Sequence, residues 1–341
     1  MKCNGCGVKE GRNQYIDIWR LVGAFVIVIF HSYHLDNVSG MPFSSGKMYV
    51  EFFFVLTGFF TSQYAITDKN DYVSAIKYTY NKYKHFWIYT IPYAVIVCAT
   101  QQVLSGGNIR ISPFFGAILE GILIIKGNNI GHLWYLVALL PLIPLFCILN
   151  TYIPKKWMLF LEICIGIHFH VFFGQYPSHF PIFYYRAFAG LCTGGIAFSM
   201  TSIIQRMEII KQGKIKKESI SLIGNLILMC LTSLLAVNRL EYRCAVVGFI
   251  VGVSLIISGN GICRYDFEKT IAEFGRKYSF VIYVVHLPLA ALVAFISKKY
   301  YHFTSLMQMG LYIFSSVMVS VCFRLVVEMV KKWMRNCTLK E

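Results

Sequence analysis

The stretch from residue 15 to residue 34, YIDIWRLVGAFVIVIFHSYH, decides the fold class of this chain. It is long enough to cross a hydrocarbon core of about 30 Å as an α-helix. Similar apolar runs recur along all 341 residues, of which 57% are hydrophobic and only 14% are charged. An ordinary soluble domain carries about 25% charged residues. We therefore predict an all-α polytopic membrane protein, which excludes a soluble enzyme, a disordered chain and a disulfide scaffold.

Ten membrane spans are predicted, with both termini in the cytoplasm. This topology places 22 of the 32 Lys and Arg residues in cytoplasmic segments and 7 in outer segments, as the positive-inside rule requires. The apolar stretch 113–125 is too short for a span, and we expect a re-entrant or interfacial helix there. The predicted spans are about 15–34, 48–66, 87–104, 132–150, 158–173, 181–200, 219–237, 244–258, 279–297 and 306–328.

The chain is expected to hold one membrane domain. It is divided into a cytoplasmic N-terminal segment 1–14, a membrane domain 15–328 and a cytoplasmic C-terminal tail 329–341. The net charge of +16 comes from short basic clusters between apolar runs, which does not predict nucleic-acid binding. His168 and His170 are two residues apart and therefore point to different helix faces, so no metal site is expected.

Ionisable residues inside predicted spans are candidates for function because burying them in lipid is unfavourable. Arg20 and His31 are eleven residues apart in the first span, which places them on one helix face about 16 Å apart in depth. The alternative is that Arg20 reaches the cytoplasmic headgroups and that His31 is a buried polar residue without a catalytic role.

The second span begins with MYVEFFFVLTGFF, which places Glu51 at about the depth of His31. A carboxylate facing an imidazole can orient the ring and raise its basicity for general-base catalysis. Thr57 and Gly58 supply a hydroxyl and a small surface for a ligand. Small residues at such spacing equally suit helix packing.

Two further segments carry polar groups. Ser279, Tyr283 and His286 form one polar stripe at the start of the ninth span, which must face the protein interior. His132 and Trp134 open the fourth span on the outer side, where aromatic residues also form interfacial belts. Four charged residues could form structural pairs within spans: Glu162, Arg186, Arg324 and Glu328.

Taken in order, four of these segments resemble the bacterial acyltransferase 3 family of integral-membrane O-acyltransferases. They are Arg20-x10-His31, the EFFFVLTGFF segment from Glu51, the HLWYL segment from His132, and GRKYSFVIYVVHLP around His286. The resemblance extends from about residue 13 to residue 328. It implies a ten-span bundle that moves an acyl group, usually acetyl, from cytoplasmic acyl-CoA to a hydroxyl of a sugar-containing acceptor.

The resemblance also implies roles for individual residues. Arg20 and His31 correspond to the signature pair of the family, with Glu51 where the family has Asp or Glu. Acetyl-CoA is the expected acyl donor, and no metal is expected. Residues expected to hold the donor are Arg20, Lys82, Lys84, Thr57 and Gly58. Residues expected to line the substrate tunnel are His132, Trp134, Ser279, Tyr283 and His286.

This chain departs from the family pattern after the second span. The family commonly has an arginine-rich stretch there, whereas this chain reads YTYNKYKHFWIYTIP, with Lys82 and Lys84 but no Arg. Lysine binds phosphate as a point charge and lacks the two-pronged geometry of arginine. Thr57 stands where the family frequently has Ser.

The expected function is therefore O-acetylation of a cell-surface or lipid-linked saccharide by a protein of the cell membrane. Such polysaccharide modification would serve the cell envelope. The alternative is a proton-coupled transporter or flippase of a sugar-containing substrate, which would use the same buried His and Glu without acyl transfer.

Overall fold

In the computed structural model of the chain, nearly all described residues lie in helices. It describes residues 13–35, 43–67, 72–105, 110–123, 133–173, 182–207, 210, 213, 215–301 and 303–338. Within these ranges there is no β-strand. The all-α fold class predicted from the sequence is confirmed.

Eleven α-helices lie in the described parts of the chain. They are α1 Gln14–Phe30, α2 Tyr49–Thr67, α3 Tyr72–Leu104, α4 Ser112–Leu123, α5 Trp134–Tyr152, α6 Lys155–His168, α7 Ile182–Arg206, α8 Lys217–Ala236, α9 Tyr242–Ser258, α10 Asp266–Ile296 and α11 Ser305–Thr338. Four shorter turns of 3₁₀ or π type adjoin them: His31–His34, Gly46–Met48, Phe169–Phe173 and Ser297–Tyr301.

Each of the ten stretches predicted to span a membrane falls on one of these helices, and α4 is the additional one. With twelve residues, α4 is about 18 Å long, too short to cross a bilayer. In the described residues, six helical segments are both long and apolar enough to cross a membrane: Gln14–His34, Trp134–Tyr152, Phe183–Arg206, Lys217–Ala236, Asp266–Tyr301 and Ser305–Trp333. The count of ten spans and the side of each terminus remain predictions.

Two helices extend well beyond the apolar stretches that they contain. Helix α3 begins at Tyr72 although its predicted span begins at 87, and α10 begins at Asp266 although its predicted span begins at 279. These extensions turn the segments around Lys82 and Arg276 into rigid helix. No local pattern predicts that these basic residues lie on fixed helical faces, yet Lys82 and Arg276 both reach the candidate site.

Glycines allow the central helices to approach closely. A Cβ at Gly58 of α2 would lie 2.1 Å from the backbone oxygen of Leu191 in α7, and one at Gly194 would meet the α2 backbone. A Cβ at Gly275 of α10 would lie 2.2 Å from the backbone oxygen of Asp17 in α1. Small residues favour such backbone contacts between membrane helices. The α1–α10 contact fixes the register of the two helices that carry the main candidate residues.

Apolar side chains occupy the outside of the bundle as well as its core. Helix α11 exposes Leu306, Phe314, Met329 and Trp333 by more than 60% each. A water-soluble protein rarely exposes so continuous an apolar surface. Surrounding lipid is the environment that suits it.

Candidate active site

Helices α1 and α10 run in the same direction and bring their polar residues together. Asp17 lies beside Gly275 near the start of the contact, and His31 lies beside His286 near its end. Arg20 and Tyr283 fall between these levels. The polar stripe predicted on the ninth span therefore faces the polar face of the first span.

A cavity of about 330 Å³ lies between α1, α2, α3, α5 and α10. Five residues predicted to hold the donor or to line the tunnel contribute to its wall: Arg20, Thr57, Lys82, Ser279 and Tyr283. The volume lies at the lower end of the range of about 300–1,000 Å³ for small-molecule sites. It suits a narrow chain better than a bulky group.

One part of this wall is basic. Arg20 Nη1 lies 3.4 Å from Asp17 Oδ1, and Lys82 Nζ lies 5.2 Å from the centroid of the Tyr78 ring. Arg276 and His85 also line the cavity and are partly exposed at the protein surface. Such a set of donors can bind an anion that enters from outside the bundle.

Burial and, after it, neighbouring positive charge lower the pKa values of two groups in this basic wall. Lys82 precedes the predicted span of α3, and loss of hydration together with the nearby charge of Arg20 lowers the pKa of its ammonium group to about 8. Burial, followed by the charge of Lys82, lowers the pKa of His85 to about 4. Lys82 is therefore charged at neutral pH, whereas His85 is neutral.

Hydroxyl groups form the next part of the wall. Thr57 Oγ1 donates to the backbone oxygen of Phe53 at 2.8 Å and lies 3.0 Å from the hydroxyl of Tyr135. Because Thr57 has a single proton, the Tyr135 hydroxyl is the donor of the second bond. Thr57 was predicted to help hold the donor, and in this arrangement its proton is already engaged.

His31 and His286 lie beyond the hydroxyl groups. Their ring centroids are 5.1 Å apart, and the Tyr283 ring is 5.8 Å from that of His286. The Nδ1 of His286 lies 2.7 Å from the backbone oxygen of Tyr283. A carbonyl oxygen only accepts, so Nδ1 carries the proton and Nε2 of the neutral ring carries the lone pair. Neither histidine lines the cavity: His286, which was predicted to line the tunnel, lies one ring beyond Tyr283 of the wall, and His31 lies beyond His286.

The expectation that Glu51 orients His31 is wrong in its geometry. The Glu51 carboxylate is 1% exposed and accepts from Arg186, with Nε at 2.7 Å and Nη2 at 2.5 Å. The Arg186 guanidinium in turn lies 5.0 Å from the centroid of the Trp134 ring. The pairing of Glu51 with Arg186 could not be predicted from the sequence, because 135 residues separate them. The ion pair joins α2 to α7, and His286 takes the position beside His31.

Three other predicted residues lie apart from the cavity. Gly58 is at the α2–α7 contact, where the glycine serves helix packing. Lys84 is exposed and does not line the cavity, because it points to another side of α3 than Lys82. Trp134 contacts Arg186 and Phe54. His132 lies outside the described residues.

Three residues of the wall were not singled out from the sequence, although the segments that contain them were. Tyr135 follows Trp134 in HLWYL, His85 follows Lys84, and Arg276 is the second residue of GRKYSFVIYVVHLP. Their polar character next to apolar runs was the available signal. Only the packing of α3, α5 and α10 distinguishes them from ordinary interfacial residues.

The apolar exterior and the basic cavity within the bundle together define a multi-pass membrane protein with an internal polar site. Comparison with protein families matches residues 13–325 to the acyltransferase domain of the acyltransferase 3 family. The chain belongs to this family, which confirms the resemblance seen in the sequence and indicates a membrane acyltransferase. No curated protein and no solved structure matches the chain.

Proposed function

We propose that this protein transfers an acetyl or other short acyl group from cytoplasmic acyl-CoA to a hydroxyl of a cell-surface or lipid-linked saccharide. The observation that supports this most is the cavity itself. It joins a basic, partly exposed wall to a layer of hydroxyl groups that adjoins the His31–His286 pair. Anion binding at the wall and proton transfer at the histidines would then follow one row of polar side chains, with Tyr283 between the cavity and the two histidines.

The basic wall suits the phosphate groups of the donor. Arg20, Lys82 and Arg276 supply three cations to this wall. Arg276 and His85 are partly exposed, so the wall is open to the protein surface. The cavity is too small for a whole nucleotide thioester, so the nucleotide would stay at the basic wall while its narrow arm enters. The thioester would then lie toward Tyr283 and the histidines.

The chemistry at the inner end requires a base and a place for negative charge. His31 would take the proton of the acceptor hydroxyl as its oxygen attacks the thioester carbonyl. The carbon–sulfur bond then breaks, and the proton passes from the imidazolium to the departing thiolate. Tyr283 is placed to stabilise the oxyanion through its hydroxyl. The same groups would serve if the acyl group first moves to the protein.

His286 is a positioning residue in this proposal. Its Nδ1 proton is held by the Tyr283 carbonyl, which fixes the ring against His31. The fixed His286 ring packs against the His31 imidazole and restricts its orientation. Glu51 would act at a distance, by holding α2 and α7 together through Arg186.

The experiment is acyl transfer by the purified protein in lipid nanodiscs. Labelled acetyl-CoA is supplied with membrane glycan, and both free CoA and labelled saccharide are measured. His31→Ala is expected to lower both by at least about a hundredfold, the usual contribution of a general base. Lys84→Ala, which changes an exposed residue outside the cavity, is the control for general damage.

Two results would contradict the proposal. Equal acetyl transfer by His31→Ala and the unmodified protein would remove His31 from the reaction. Saccharide movement across the membrane without release of CoA by the active protein would instead favour the transporter alternative.

A further inference from the structure

A second cavity, of about 280 Å³, lies beside the other side of α2. It is bounded by α2, α6, α7 and the turn between α5 and α6. Ser62 of α2 lines it, whereas Thr57, five residues earlier, lines the first cavity. Five residues correspond to a rotation of about 140° around a helix axis, so the two cavities lie on nearly opposite sides of α2.

The inner wall of the second cavity holds an ionisable group that the proposed acyl transfer does not use. Glu162 of α6 is 2% exposed and lines the cavity. Among the described residues, no hydrogen bond or ion pair reaches its carboxylate. The Ser62 hydroxyl beside this cavity is also buried without a hydrogen-bond partner there. Buried groups of this kind are unfavourable unless a partner satisfies them.

Glycine makes room for this carboxylate. A Cβ at Gly195 of α7 would lie within 2.6 Å of all three terminal carboxyl atoms of Glu162. The carboxylate is therefore seated against a helix backbone that lacks a side chain at this point. Ser199, one turn later on α7, adds a hydroxyl to the same wall.

The opposite end of the cavity is positively charged. Lys155 is the first residue of α6 and also lines the cavity. It precedes Glu162 by seven residues, about two turns or 10 Å along one face of the helix. The helix N-terminus adds partial positive charge at the Lys155 end. A ligand that fits must therefore carry a negative group near Lys155 and a positive group near Glu162.

The surroundings of Lys155 suit a membrane interface. Tyr152, also on the wall, and Trp157 are each about 60% exposed, and Lys156 lies over the Trp157 ring at 5.6 Å. Aromatic and basic side chains concentrate at the headgroup level of bilayers. A ligand reaching the cavity from this level would be a lipid headgroup.

From this charge arrangement we infer that the cavity binds the headgroup of an aminophospholipid. Its primary ammonium would donate to Glu162 and Ser62, and its phosphate would bind Lys155. A quaternary choline group has no N–H to donate, and a glycerol headgroup has no cation for Glu162. The site would thus distinguish phosphatidylethanolamine from the other two lipid classes.

The test measures lipid retention and does not depend on acyl transfer. The purified full-length chain is titrated in detergent with phosphatidylethanolamine, phosphatidylcholine or phosphatidylglycerol of identical acyl chains, and bound lipid is counted by native mass spectrometry. Phosphatidylethanolamine is expected to bind about tenfold more tightly than either of the others, as loss of one hydrogen bond to a charged group implies. Equal retention of the three lipids would overturn the inference.

Substitutions in the second cavity test whether the preference for phosphatidylethanolamine arises there. Glu162→Gln is expected to abolish the preference for phosphatidylethanolamine, and Lys155→Gln is expected to weaken its binding. Glu241→Gln, which changes an exposed carboxylate, is the matched control and should keep the preference. A preference that survives Glu162→Gln would show that the lipid binds elsewhere. Should Glu162→Gln fail to accumulate, Ser199→Val reduces the cavity instead and must reduce the preference.

Soluble headgroups separate the headgroup from the lipid chains. Phosphoethanolamine in excess is expected to displace the lipid, whereas phosphocholine is not. Displacement by both compounds, or by neither, would contradict binding of the primary ammonium by Glu162.

Discussion

Lys82 and Lys84 illustrate how little separates a site residue from a surface residue. Both lie in the basic stretch after the second predicted span, and the sequence predicts the same donor-binding role for each. On helix α3 they face different directions, so Lys82 lines the cavity near Arg20 and Lys84 remains exposed. The two lysines thus form a matched pair for experiments on donor binding.

The low pKa of Lys82 predicts a pH dependence of donor binding. The ammonium group is charged below its pKa of about 8 and becomes neutral above it, which removes one phosphate partner. We expect the KM for acetyl-CoA to rise as the pH passes 8. Lys82→Arg should flatten this rise, because arginine stays charged throughout. Lys84→Arg should leave it in place; a KM that rises equally in both variants would assign the titration to another group.

The buried pair of Glu51 and Arg186 predicts a strong effect on stability. Removing one partner of a buried ion pair leaves an uncompensated charge, at a cost of about 3–5 kcal/mol. Glu51→Leu should therefore lower the unfolding temperature in detergent, and adding Arg186→Met should restore much of it. If Glu51→Leu keeps its stability yet loses acyl transfer, Glu51 acts in the reaction and not in packing.

At the scale of helices, glycine contacts decide which residues meet. Gly275 lets α10 approach the backbone of α1, and this contact sets the register that places His286 beside His31. The α2–α7 contact depends in the same way on Gly58 and Gly194. Glycines that do not line the cavity therefore decide which polar residues meet in it.

Gly275→Ala tests this register. The new methyl group would overlap the backbone oxygen of Asp17, so the helices must separate. We expect a loss of about 1–3 kcal/mol of stability, the usual cost of an overpacked contact, with a larger loss of acyl transfer. Gly310→Ala on α11 meets nothing within 4 Å and serves as the control. Similar behaviour of the two variants would show that the α1–α10 contact tolerates a side chain.

At the scale of the whole molecule, the basic residues predict the sidedness of the bundle. Gly213 lies between α7 and α8 and Asn238 between α8 and α9, so the ten-span topology places them on opposite sides of the membrane. A reporter that is active only outside the cytoplasm should be active when fused after Asn238 and inactive after Gly213. The reverse result, or equal activity, would refute the predicted topology.

The sequence alone determined the helical class, the positions of the apolar helical segments and the family. Long apolar runs permit few other structures in lipid, because every backbone group must find its hydrogen bond within the segment. The family was recognised from four motifs, and their order along the chain can be read without knowing how the helices pack. Arg20, Thr57, Ser279 and Tyr283 line one cavity, as expected for polar residues on apolar helices, which must face inward. Lys82 reaches the same cavity only because α3 begins before its predicted span.

Only the tertiary structure decided which polar groups meet. It pairs Glu51 with Arg186 instead of His31, places His286 beside His31, and moves Lys84 and Gly58 away from the cavity wall. A helical period fixes the face on which a residue lies, but not the neighbour that the face meets. That neighbour depends on contacts between residues distant in the chain, such as Gly275 with Asp17, which no local pattern encodes.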